Sequence, residues 1–364
     1  MQNKSASKNR FGFKFAVAAG LLASNLCAQS ANASTLHAVI KGDPLWSTYK
    51  QRFVKSEGRI IDNANGNVSH SEGQGFGMLM AIAADDPATF AAMWDFTSSK
   101  LGIRKDKLLA WRWKPALFSN VRDKNNATDG DILVAWALLE AAEAGYGEHY
   151  RSAGMAILQD VKKLIKHDKV VGRYIMPGAF GFAGHQHGGK EIINLSYWVF
   201  PAFERISQIT KEKSWLALSV SGETILDRAT NNRAGLPADW NTLKRHTGKV
   251  GTSHKFNSDF SYNAVRVPLY LAWSKSGSFP KLEAFQKRWV QRSFKLQQVN
   301  VRTNFAKKEF RDIGYHAIAA VVNCSVSGQR FPKPLRSKLD KLYYPASLQM
   351  LSIIATKQRY PQCW

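Results

Sequence analysis

Apolar residues recur along this chain with a helical period, and they do so in two ways. In segment 150–167, Ala153, Ile157, Val161, Leu164 and Ile165 fall on one stripe, while Arg151, Asp160, Lys162, Lys163 and Lys166 fall away from it. That is a helix with one face in solvent. In Met78-Leu79-Met80-Ala81-Ile82-Ala83-Ala84 every position is apolar, the mark of a helix enclosed by protein on all sides. Helical signals cover 47–55, 75–84, 87–100, 131–144, 150–167, 195–207, 213–231, 264–273, 282–295 and 312–323. Asp86 followed by Pro87 gives one start, and Gly145 after 131–144 gives one end. Strand signals are few and short, at 170–175 and 249–254. Enclosed helices mixed with amphipathic ones predict an all-α fold of concentric helical layers.

The chain's beginning departs from this pattern. Lys4, Lys8, Arg10 and Lys14 precede an apolar stretch over 15–28, and Ala31-Asn32-Ala33 follows as a small-residue cleavage site. The segment 1–33 therefore reads as an export signal, and 34–364 as a single catalytic domain of a periplasmic or secreted protein. The apolar stretch is short for a membrane span, and no later run approaches the roughly 20 apolar residues that spanning requires. Formal net charge is +24, of which Lys4, Lys8, Arg10 and Lys14 of the leader supply four, leaving +20 for 34–364; a solvated basic surface is the plain reading, and attraction of anionic polymers or lipid surfaces the sharper one. Export removes nucleic acid from the expected partners. Of the three cysteines, Cys27 lies in the signal, leaving Cys324 and Cys363 as a pair that an oxidising compartment permits to bridge; free buried thiols are the alternative.

Two carboxylates open apolar helical runs. Glu72 sits in Ser71-Glu72-Gly73-Gln74-Gly75-Phe76-Gly77, with Ser71 placed to cap. The three glycines each cost a helix about 1 kcal/mol relative to alanine, and bare backbone of that kind lets a ligand come close. A helix N-terminus favours the ionised carboxylate, so a proton donor here requires burial or a neighbouring anion to reverse the bias. Asp129 sits in Ala127-Thr128-Asp129-Gly130-Asp131; with Thr128 as cap it reads as an anion, suited to base work or to gripping sugar hydroxyls. Asp131 reads as structural. Paired carboxylates suggest glycosidic bond hydrolysis. His185-Gln186-His187 has no nearby Cys, Asp or Glu to complete a metal set, and no metal or cofactor is expected.

Five motifs in order carry a family resemblance: Ser71-Glu72-Gly73-Gln74-Gly75; Asn126 to Asp131 with Ala135-Trp136-Ala137-Leu138-Leu139; Asn194-Leu195-Ser196-Tyr197; Pro237-Ala238-Asp239-Trp240; and Ser261-Tyr262-Asn263-Ala264-Val265-Arg266. Together they resemble glycoside hydrolase family 8, in particular the endoglucanases associated with bacterial cellulose synthesis. The resemblance implies an (α/α)6 double barrel, endo-acting hydrolysis of β-1,4-glucan with inversion, Glu72 as general acid, and Asp129, Tyr197 and Arg266 around the reacting sugar. A monomer is expected, with the cellulose synthesis machinery as an implied partner.

Asn263 departs from the family's commonest form, which has the water-activating aspartate there. An amide does not take a proton from water, so the candidate bases are Asp259, which would share Asn263's face if the segment were already helical, Asp239, beside Trp240, and Asp129. Trp111, Trp113 and Trp240 fall near predicted loops, where indole faces can bind pyranose rings; Trp136 and Trp198 read as core. Asn263 also keeps open a non-hydrolytic glycan-binding accessory protein, and the basic charge a hydrolase of an anionic exopolysaccharide.

Overall fold

In the computed structural model, residues 35–293 and 295–364 are described; the export-signal expectation falls on 1–33, outside them. Eleven α-helices lie among the described residues: α1 (Pro44–Phe53), α2 (Ser71–Ala83), α3 (Pro87–Phe96), α4 (Thr128–Glu143), α5 (Glu148–Lys163), α6 (Phe200–Thr210), α7 (Leu216–Ala229), α8 (Arg266–Trp273), α9 (Phe279–Phe285), α10 (Ile313–Ser327) and α11 (Tyr343–Arg359). They form the expected (α/α)6 double barrel. The inner ring is α2, α4, α6, α8, α10 and α11. Helices α1, α3, α5, α7 and α9 lie outside it, and a 3-10 turn at Lys333–Arg336 stands in the sixth outer place.

Sequence pattern and layer agree. Twelve of the thirteen residues of α2, and Thr128 through Ala141 of α4, are buried, whereas α5 buries Tyr150, Gly154, Ile157, Leu158 and Val161 and turns its lysines outward. Each fully buried Leu, Phe, Met or Ile of the ring contributes about 1.5–3 kcal/mol. Asp86 caps α3, accepting from Thr89 N at 3.1 Å with Pro87 in the first turn.

The structure corrects several boundaries. The chain leaves α5 at Lys163 and enters β3 (Ile165–Asp168), which pairs with β4 (Gly172–Ile175); the last residues of the 150–167 prediction are strand. Asp160, expected to face outward, is buried and accepts from Lys107 N at 2.7 Å. Residues 195–197 form a 3-10 turn, and α6 begins at Phe200 with Pro201 in its first turn. The largest omission is α11. Its Ser347, Gln349, Ser352 and Thr356 are buried and break the apolar pattern, and its N-cap Leu342 has no capping side chain, the first N–H going instead to distant Asn63 Oδ1 at 2.9 Å.

Small antiparallel sheets decorate the helices: β1 (Ser69–His70) with β2 (Arg112–Trp113); the β3–β4 hairpin; β5 (Lys190–Ile193), β6 (Asn241–Lys244) and β7 (Lys249–Thr252); and β8 (Asp259–Phe260) with β9 (Gln297–Asn300) and β10 (Phe305–Glu309). A disulfide joins Cys324 of α10 to Cys363, with Cα atoms 6.1 Å apart. Among the described residues no helix is long and apolar enough to cross a membrane.

Candidate active site

The N-terminal ends of four inner helices meet at one cleft of about 410 Å³. Glu72 comes from the first turn of α2, Asp129 from that of α4, Arg266 opens α8, and Tyr343 and Tyr344 open α11. Tyr197, Trp240 and Asn263 enter from the segments before α6 and α8, and His70 and Trp111 from the β1–β2 side.

Close packing of α2 on α4 sets the carboxylates side by side. A Cβ on Gly130 would stand 2.7 Å from Glu72 N and against Ser71 Oγ; one on Gly75 would stand 2.6 Å from Leu133 Cβ. Gly73 faces the Tyr343 hydroxyl, and Gly77 the Ile60 side chain. The glycines of α2 thus admit neighbouring protein rather than ligand, which corrects the reason given for them from sequence. Neither expected cap forms. Ser71 is itself the first residue of α2, after His70, and its Oγ has no partner among the described residues. Thr128 follows the N-cap Ala127 and donates its hydroxyl to the Met176 carbonyl at 2.7 Å.

Arg266, 1 % exposed, organises the centre. Its Nη1 lies 2.8 Å from Glu72 Oε2 and 2.9 Å from Asp129 Oδ2. Its Nη2 donates to Ser196 Oγ at 2.8 Å and to Asn263 Oδ1 at 3.1 Å. Asp129 also accepts from Gly130 N at 2.9 Å. Burial pushes the Glu72 carboxyl up to about 8; Arg266 opposes this, while Asp129 adds to it by its charge and by accepting the proton. The helix dipole, worth about 0.3–1 kcal/mol here, is outweighed, since every pKa unit is 1.36 kcal/mol. Glu72 therefore keeps its proton at neutral pH, with Asp129 as the acceptor beside it. Two oxygens held by one Arg nitrogen cannot stand the roughly 6.5–9.5 Å apart that an inverting acid and base require. Asp129 is thus not placed as the opposite-face base.

The other base candidates are separated by the structure. Asp259 lies in strand β8, not in a helix, and points into the sheet: its Oδ2 accepts from Lys307 Nζ at 2.7 Å and its Oδ1 from Asn300 Nδ2 at 3.1 Å. Neither Asp259 nor Asp239 lines the cleft itself, but Asp239 is bonded to the Asn263 segment that does. Asp239 Oδ1 accepts from the backbone N–H of Ser261, Asn263 and Ala264 at 3.0, 3.0 and 2.8 Å, which fixes it under the Asn263 turn. Its Oδ2 takes no hydrogen bond from any described residue, and burial raises its pKa to about 6.

Trp111 stacks on His70 at 5.8 Å, and Trp240 packs near Phe182 and against Phe256, with centroids 5.7 and 4.5 Å away and Tyr197 at its edge. Both tryptophans line the cleft. Trp113 does not; it packs against Phe96 under the Arg59 guanidinium. Trp136 and Trp198 are core. His187 Nε2 bonds the Gly181 carbonyl at 2.9 Å, away from the cleft. Sequence reasoning missed Asp62, Asn65, His70, Tyr262, Tyr343 and Tyr344 as cleft residues. Tyr262 lay within a motif already noted, and the Tyr343-Tyr344 doublet ahead of a long helix was a usable signal.

Comparison with known proteins places the chain in a family. The family described as glycosyl hydrolases family 8 matches residues 14–358. The chain is 39 % identical over 265 residues to an endoglucanase of Cellulomonas uda, covering 71 % of each. It is 33 % identical over 314 residues to a probable endoglucanase of Novacetimonas hansenii, covering 85 % of this chain and 89 % of that one. The solved structure of the endo-β-1,4-glucanase CMCax from Acetobacter xylinum superposes with a TM-score of 0.79 at 32 % identity, covering 89 % of this chain and 99 % of that one.

Proposed function

The chain belongs to glycosyl hydrolases family 8, and on that premise we propose that it is an exported endo-β-1,4-glucanase that inverts the anomeric centre, with Glu72 as general acid. It is a glycoside hydrolase of the endoglucanase type, not the non-hydrolytic accessory protein that Asn263 had kept open. The observation that carries the mechanism is that buried Arg266 holds Glu72 and Asp129 side by side, a setting that raises the Glu72 carboxyl. Glu72 gives its proton to the glycosidic oxygen as the bond to the anomeric carbon breaks. Asp129 and Tyr197 hold the reacting sugar, with Trp111 and Trp240 as platforms for neighbouring rings. Water attacks from the opposite face and loses its proton to Asp239, the carboxylate fixed beneath Asn263, whose raised pKa suits a base near neutrality. The leader pattern in 1–33 and the Cys324–Cys363 bridge support an oxidising compartment outside the cytoplasm. The protein acts as a monomer alongside the cellulose synthesis machinery.

Proton NMR of early products from a soluble β-1,4-glucan tests this reading. The α-anomer is expected first. A β-anomer appearing first overturns the assigned roles, and no hydrolysis of any β-glucan overturns the substrate.

A further inference from the structure

Next to the cleft, the loop that follows β2 shapes a second depression of about 550 Å³. Trp111 lines both, so a polymer lying along the cleft wall runs on into it. The loop is a closed turn: Lys114 N donates to the Asn120 carbonyl at 2.8 Å and Ala116 N to Asn120 Oδ1 at 2.9 Å. At its tip Leu117 is 96 % and Phe118 100 % exposed, an apolar surface suited to the face of a sugar ring. Three cations line the same depression, Arg112, Lys114 and Arg122, and none forms an ion pair with a described carboxylate. Its one carboxylate, Asp123, is already engaged, accepting from Trp111 Nε1 at 2.8 Å and from Asn125 N at 2.9 Å. The Arg112 Nε is buried without a partner, and the guanidinium stands 5.6 Å from the Trp111 ring centroid. Arg112 also faces His70 across the β1–β2 pair. His70, held down to about 4 chiefly by burial, is lowered further by that guanidinium, so the loop's positive field reaches the cleft.

We infer that this depression is a distal subsite for a glycan chain carrying anionic substituents, with Trp111 and the 114–122 turn contacting the sugar rings and Arg112, Lys114 and Arg122 meeting the negative groups. The inference rests on the glucanase reading of the adjoining cleft. A neutral glucan gives three unpaired cations nothing to neutralise, whereas a substituted chain leaving the cleft past Trp111 brings its charges directly to them. The basic balance of the chain, +20 once the four cations of 1–33 are set aside, adds long-range attraction for such a polymer.

Carboxymethyl cellulose and hydroxyethyl cellulose of matched size serve as anionic and neutral probes. The ratio of their kcat/KM values is compared between the wild type and two variants, Lys114→Gln/Arg122→Gln and the triple variant that adds Arg112→Gln. Exposed ion contacts contribute about two- to fivefold each, so the ratio is expected to fall about fivefold in the double variant and tenfold or more in the triple. Raising NaCl from 50 to 500 mM is expected to lower the wild-type ratio in the same direction, by screening. The double variant keeps the test open if Arg112→Gln disturbs folding, because Lys114 and Arg122 are exposed. A second readout does not need hydrolysis: retardation of the Glu72→Gln chain in gels containing carboxymethyl cellulose, expected to be lost on adding the double substitution. Ratios within twofold of wild type together with unchanged retardation overturn the inference. Failure of the wild type on both polymers with retardation intact overturns the glucanase reading and leaves the subsite standing.

Discussion

Glu72→Gln is expected to inactivate the enzyme and, at alkaline pH, to stabilise it. Burial raises the Glu72 carboxyl from 4.5 to about 8 in the fold. Below about 4.5 it is protonated in both folded and unfolded chains and contributes no difference. Between 4.5 and 8 the unfolded chain releases the proton while the folded chain keeps it, so stability falls as pH rises; above 8 the deficit is constant. At 1.36 kcal/mol per unit the full gap is about 5 kcal/mol. The side chain is 22 % exposed to water in the cleft, which brings the expected deficit to roughly 2–3 kcal/mol. Glutamine is neutral at every pH and still has a hydrogen to donate to Asp129, while Arg266 keeps its Asp129 partner. For a chain of this size the variant's Tm should exceed the wild type's by about 3–4 °C at pH 8 and match it near pH 4.5. Turnover should fall by about 10²–10⁴-fold or more, the share of general acid help. Calorimetry at the two pH values and reducing-sugar assays check both halves. A Tm difference independent of pH would show that Glu72 is not held protonated by the fold, and more than half the wild-type rate would remove it from the chemistry.

Other expectations follow from the same geometry. With Asp239 at about 6 and Glu72 at about 8, kcat/KM should be bell-shaped around pH 7; Asp239→Asn should abolish most activity, and Asn263→Asp should restore part of it by placing a carboxylate where water attacks. Asp259→Asn, which strands Lys307, should cost about 1 kcal/mol of stability with little change in rate; a large loss of turnover would restore Asp259 as the base. Gly130→Ala, whose methyl presses on Ser71 Oγ and Glu72 N, should lower kcat at least tenfold by parting the two carboxyls, as rates on variants with intact melting curves would show. Reducing Cys324–Cys363, which closes a loop spanning 39 positions, should remove up to about 4 kcal/mol, measured by urea unfolding with and without reductant.

The inner helices were legible where their enclosure was written in apolar residues, as in Met78–Ala84 and Ile132–Leu139. Helix α11 was not, although it is as deeply buried. Ser347, Ser352 and Thr356 return their hydroxyls to the carbonyls of Tyr343, Leu348 and Ser352 one turn back, and Gln349 ties the helix to Leu335, Lys338 and Asp340. Satisfied polar groups are tolerated inside, but they erase the pattern that periodicity reads. Glu72, Asp129 and Arg266 were visible through their motifs. Their arrangement was not, because one guanidinium gathers side chains separated by up to 194 positions. Asp259 failed as a base candidate for a local reason: four residues span one helical turn, but β8 sends the same spacing elsewhere.

The ring shuts with its final helix, and that has a consequence for when the molecule can work. Tyr343 and Tyr344 complete a cleft whose acid lies near the other end of the chain, and α11 packs on both α2 and α8. A growing or truncated polypeptide lacking the last few dozen residues carries Glu72, Asp129 and Arg266 but leaves their low-dielectric chamber open to solvent. Water then relieves the desolvation that keeps Glu72 protonated, and the acid ionises. Competence therefore arrives with closure: on the proposed function, a chain in which α11 has not yet docked on α2 and α8 has no working site.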